Sequence, residues 1–286
     1  MRRLISLTTL AFTLFFASFS PLVLGGEGGE VSDGQGAAAP DAALLFAEGQ
    51  SCFYNTDYDC ALRKFGEYRK LEPNDPAVCW RTALCILLKA KREQNVKNAP
   101  KLDAKASETA KDFFESVSKG LETVKQKRNT DGDGDLFCVE ANLYMDFAIA
   151  EFGQKKFWSY LDGKDYTKKA LEAAGRSSLP CARFVEGLIE YKAAEHPYIS
   201  ALYGIPHNRE RALERIVNSA RNNSSIFLDD IWFALFDIAT DAKNAELVAE
   251  VGINDDYRLR LFAYLFAKYQ RNSKLIKYYE GHNRWH

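Results

Sequence analysis

Twelve residues, Asn129 to Glu140, carry oxygens at a spacing suited to a hard cation. The side chains of Asn129, Asp131 and Asp133, the backbone carbonyl of Asp135 and both carboxylate oxygens of Glu140 would together form a calcium shell. Gly134 would make the sharp turn, and Leu136 would point inward. A second reading needs no ion. Asp and Gly form turns readily, so the same run can join two helices and cap the second.

Six cysteines are the next group with chemistry: Cys52, Cys60, Cys79, Cys85, Cys138 and Cys181. An even count permits disulfides in an exported chain, with 15 connectivities for six cysteines. Cys52 and Cys60 lie four residues either side of Thr56. If the chain turns at Thr56 between two helices, they face each other and can pair. Cys79 and Cys85 are six apart on one expected helix, about 9 Å by rise, beyond disulfide reach. The alternative is six small buried apolar residues. No CxxC or Cys/His metal spacing occurs.

Catalytic signatures are missing. His196, His207, His282 and His286 are the only histidines, and neither HExxH, GxSxG nor a GKS/T phosphate loop is present. Glu186, Glu190 and Glu195 suit a solvated helix face better than acid–base work. No catalytic residue is assigned, and no cofactor other than calcium is implied.

The elements that must position these residues are helices. Met1-Arg2-Arg3, an uncharged run from Leu4 to Leu24 and then Gly25-Gly26 read as a secretory signal peptide over 1–26. An uncleaved membrane anchor is the rival. Residues 27–40 are Gly, Ala, Ser, Asp and Glu with no aromatic, and are expected to be a flexible tether. From Asp41 the apolar residues follow helical spacing. Helices are expected over Ala42–Asn55, Asp59–Leu71, Pro76–Ala90, Ala106–Lys127, Leu136–Phe152, Asp165–Ala174, Cys181–Ala194, Arg209–Arg221, Ile226–Ala239 and Tyr257–Gln270. A polar insertion is expected over Lys91–Lys105. Phe227 to Phe236 is apolar on nearly every side, which marks a buried helix.

Leu45, Gly49, the Asp57-Tyr58 turn, Ala61, Phe65 and Pro73 fall at the spacing of a helix–turn–helix unit of about 34 residues. The unit at 42–75 resembles a tetratricopeptide repeat, and Asp165-Tyr166 repeats its turn cue. Cys52 stands where that family often has an aromatic, and Tyr68 where it has a small residue. The resemblance implies an all-α fold, a right-handed solenoid of stacked hairpins over 41–280 that becomes irregular toward the C-terminus, with a tail at 281–286. It also implies that the first helix of each pair lines a concave groove. By position, Phe46, Gln50, Phe53, Tyr54 and Trp80 would face that groove, their alternative being the core. The run at Asn129 to Glu140 in turn resembles an EF-hand loop with Asn129 in place of the usual Asp.

Lys and Arg total 38 and Asp and Glu 39, a net charge of −1, so no basic field draws nucleic acid. The expected function is an exported, non-enzymatic scaffold that binds a protein or peptide in its groove. It would work in a periplasm, on a cell surface or as a secreted protein, with no membrane insertion after cleavage. One alternative is a calcium-stabilised structural or adhesive module. The other is an α-helical enzyme acting on glycan or peptide. Asn222-Asn223-Ser224-Ser225 holds two overlapping glycosylation acceptors.

Overall fold

The computed structural model describes residues 41–95, 99–103, 107–131, 134–154, 156–195, 197–221 and 228–240. The signal and tether, the acceptors at 222–225, the helix expected over Tyr257–Gln270 and the tail lie outside them. Ten helices are found among the described residues: α1 Ala42–Tyr54, α2 Tyr58–Leu71, α3 Pro76–Glu93, α4 Glu108–Asp131, α5 Gly134–Gly153, α6 Phe157–Gly175, α7 Pro180–Ala193, α8 Pro197–Tyr203, α9 Arg209–Arg221 and α10 Leu228–Thr240. The described residues contain no strand.

Local chemistry sets the helix starts. Asp41, Asp57 and Asp75 each accept a backbone N–H from the first turn that follows: Ala43, Cys60 and Ala77 respectively. Pro76 and Pro180 open α3 and α7, where a missing N–H costs nothing. Thr56 turns the chain between α1 and α2 in the left-handed region, at φ 61°.

Each helix from α1 to α6 packs on the next, α7 packs on α9, and α9 on α10. A second series runs between alternate helices, α3 on α5 and α5 on α7. This pairing of neighbours is compatible with a helical repeat. One apolar core runs from Trp80 on α3 through Phe113 and Leu143 to Leu213 and Ile216 on α9. A second, smaller cluster joins α1, α2 and α3 around Phe53, Phe65 and Cys79.

The α1–α2 contact is close because Gly49 has no side chain. A Cβ there would come within 2.5 Å of Phe65 Cε1, and Phe65 is fully buried. Gly49→Leu should therefore lower stability by about 1–3 kcal/mol through overpacking. A thermal melt checks it, and an unchanged midpoint would contradict the contact.

Two expected elements are corrected. Asp165-Tyr166 is not a turn, because α6 already starts at Phe157 and carries both residues in mid-helix. The run Asn129 to Glu140 is not an open loop. Asn129 and Asp131 complete α4, while Asp135 and Glu140 belong to α5, so only residues 132–133 separate the two helices. The apolar periodicity of the flanking helices outweighs the turn preference of Asp and Gly, and both helices extend into the polar run. The seven-residue α8 was not expected.

Cys52 and Cys60 stand at disulfide distance across the α1–α2 turn, with Cα atoms 5.7 Å apart. Cys138 and Cys181 form a second such pair, Cα atoms 5.9 Å apart, joining α5 to the start of α7. Cys79 and Cys85 are free and buried. No helix among the described residues is long and apolar enough to cross a membrane.

Candidate functional site

The strongest concentration of polar chemistry lies in the interior, where α10 meets α1 and α3. Arg81 projects from α3 and is fully buried. Its Nη1 donates to Asp230 Oδ1 at 2.7 Å and its Nη2 to Oδ2 at 2.8 Å. This two-point pairing matches the planar fork of guanidinium to the carboxylate. Arg81 Nη2 also donates to the Tyr54 hydroxyl at 3.2 Å, and that hydroxyl donates to Asp230 Oδ1 at 3.0 Å. Three helices thus share one closed set of charge-assisted hydrogen bonds.

Aromatic rings surround the guanidinium. Its carbon lies 4.2 Å from the Trp80 ring centroid, 5.5 Å from Phe53 and 5.6 Å from Tyr54. Tyr54 stacks on Phe233 of α10 at 4.9 Å, nearly parallel. Asp230 and Phe233 are one helical turn apart, so one face of α10 presents both. Ile231, Leu235 and Ile238 of the same helix are buried as well.

Burial and pairing set the electrostatics. Burial opposes the charge on Arg81, but Asp230 and then Tyr54 outweigh it and keep the guanidinium protonated. Burial lifts the Tyr54 hydroxyl well above the ordinary phenol range, with Arg81 opposing, so it remains a donor at neutral pH. Asp146 on α5 is fully buried, and neither carboxylate oxygen has a hydrogen-bond partner among the described residues. Burial holds its carboxyl well above the usual range; Arg81 opposes this and Asp230 adds to it. The free Cys85 thiol is raised by burial, with Arg81 opposing and Asp146 adding.

Asp146 yields a pH prediction. Its folded-state pKa is raised, so in the folded protein it keeps a proton that the unfolded chain releases. Its contribution to stability is complete below the unfolded value, about 3.9. It is lost as pH rises from there through the folded value, at up to about 1.4 kcal/mol per pH unit. Asp146→Asn cannot ionise. It should match wild type near pH 4 and be the more stable protein at pH 7, with a margin that widens with pH. Melts across pH 4–8 test this, and a margin independent of pH would contradict it.

Of the residues expected in an open groove, Phe53, Tyr54 and Trp80 are buried, at 7%, 2% and 2% exposure. Phe53 packs against Tyr54 and Tyr58, and Tyr54 lies beneath α10. Their large apolar areas are covered because α10 supplies rings and a carboxylate that match them. Phe46 is half-buried and packs against Phe65 and Tyr68 of α2. Gln50 is also half-buried, and its Nε2 has no hydrogen-bond partner among the described residues.

Of the expected calcium ligands, the side chains of Asp135 and Glu140 are described, and both residues lie on α5. Glu140 is buried and accepts from Arg128 at 3.0 Å, whereas Asp135 is exposed. Asp133 lies outside the described residues, as do the side chains of Asn129 and Asp131. The Asp135 carboxylate is within 4.8 Å of the Cys138 and Cys181 sulfurs, but those sulfurs are paired with each other. Glu190 fastens α7 to α9, accepting from Arg211, Arg215 and the backbone N–H of Asn208. Glu186 pairs with Arg183. His207 is exposed, its Nδ1 3.0 Å from the Ile205 carbonyl.

Arg81, Asp146 and Asp230 were not singled out from sequence, although the signal is there. Each is a charge within a largely apolar helical stretch. Such a charge is rarely buried without a partner, so the three could have been sought as a set. No family model, curated protein or solved structure matches this chain.

Proposed function

We propose that this chain is an exported, non-enzymatic scaffold of tetratricopeptide-like hairpins, a right-handed α-solenoid whose concave face binds a protein or peptide. The supporting observation is α10. In a stacked array of the hairpins α1–α2, α3–α4, α5–α6 and α7–α9, the first helices α1, α3, α5 and α7 line one face, and α10 follows α9 and reaches Tyr54 on α1 and Arg81 on α3. A helix held by aromatic stacking and a paired carboxylate is the helix-in-groove mode of recognition, here made with the chain's own helix. The two cysteine pairs fit an oxidising compartment and so support export.

The test is capture followed by crosslinking. The immobilised full chain is incubated with the envelope or secreted fraction of its source, and crosslinks to any retained protein are mapped by mass spectrometry. The expected sites lie on α1, α3 and α5. Crosslinks confined to α2, α4 and α6, or no retained protein, would overturn the reading.

A further inference from the structure

We propose that the face built by Tyr54 and Arg81 recognises one kind of ligand: a helix with an acidic residue and an aromatic residue three positions later. In this chain α10 is the resident occupant of that site, and a partner helix of the same pattern competes with it. The proposal rests on the scaffold reading above and supplies its ligand class.

The selectivity follows from what the face would lose if empty or wrongly filled. Arg81 is fully buried, and both its terminal nitrogens bond to Asp230. A ligand with no carboxylate at that point leaves a buried guanidinium without its counter-charge, so the face rejects neutral helices. The Tyr54 hydroxyl makes the same demand, because it donates to the same carboxylate. One turn further along α10, Phe233 lies flat on the Tyr54 ring. An acid at i and an aromatic at i+3 are thus both read by the same tyrosine, one by its hydroxyl and one by its ring.

As part of the chain, α10 holds this site at an effective concentration in the millimolar range. A partner helix must outcompete it, and weakening the hold of α10 should expose the site. The probe is a fluorescent synthetic peptide of residues 226–243, its affinity read by anisotropy against full-length chains. The Asp230→Asn chain should bind it at least tenfold more tightly than wild type. The same peptide with Asp230→Asn should lose at least tenfold on that chain. If Asp230→Asn does not fold by circular dichroism, Phe233→Leu in the full chain takes its place, with the same two comparisons. A folded variant that binds the peptide no better than wild type, or binds the acidic and neutral peptides equally, overturns the proposal. Competition separates it from the broader reading. Where a captured partner is crosslinked to α1 and α3 but is not displaced by excess acidic peptide, the scaffold stands and this ligand class is wrong.

Discussion

Arg81→Ala should cost about 3–5 kcal/mol of stability, the largest loss expected from a single substitution in this chain. The cost does not measure the strength of the salt bridge. It is the penalty of leaving Asp230 in a largely buried position, its side chain 12% exposed, without its cation. Removing the charged set together should behave differently. Arg81→Met with Asp230→Leu removes both charges and keeps the volume filled, but strands the Tyr54 hydroxyl, at about 1–3 kcal/mol for an unsatisfied buried group. Adding Tyr54→Phe removes that hydroxyl too. The triple variant should therefore recover most of the loss and approach wild type, or pass it. Urea unfolding of the single, double and triple variants gives the coupling energies directly. A mild effect of Arg81→Ala, or additive losses across the three, would show that the network is not buried in solution. The triple variant should also bind no acidic peptide, which separates the stability of this site from its selectivity.

Loss of the Cys138–Cys181 pair should follow closely in size. The two cysteines are 43 residues apart in sequence. Chain-entropy arguments give about 4 kcal/mol for closing such a loop in the unfolded state. Cys52–Cys60 closes a span of 8 residues, for which the same relation gives about 2.5 kcal/mol. Cys138→Ala with Cys181→Ala should thus lower stability more than Cys52→Ala with Cys60→Ala. Reductant should destabilise wild type by about the sum and leave a chain without all four cysteines unaffected. A wild-type melt indifferent to reductant would show that the pairs are not oxidised. Both staples join helices adjacent in the packing scheme, α1 to α2 and α5 to α7, so both support the hairpin stack rather than the hold on α10.

Local determinants were legible from residue types alone. Asp41, Asp57 and Asp75 announce helix starts because a short acidic side chain can reach the free N–H groups of the first turn. Gly49 and Phe65 announce a close helix pair, and the contact is there. The spacing of Cys52 and Cys60 about Thr56 placed their sulfurs together, since a hairpin turn brings equidistant positions into register. Where local turn preference competes with helix extension, the helix prevails. Asp165-Tyr166 and Asn129 to Glu140 are turn-forming by composition, yet helices run through most of both. A turn preference of about a kilocalorie cannot interrupt a helix whose flanking apolar face is buried against its neighbours.

The sequence by itself therefore determined the all-α class, most helix positions, the α1–α2 hairpin and one cysteine pair. These depend on residues close together in the chain, where spacing translates directly into geometry. Only the tertiary structure decided which aromatic residues are open and which are core. It also decided that Cys138 pairs with Cys181 and that Arg81 meets Asp230. Arg81 and Asp230 are 149 residues apart, and no periodicity in either helix encodes the distance between them. Whether Tyr54 faces solvent or another ring depends on where α10 returns, and that is set by the summed packing of every helix between.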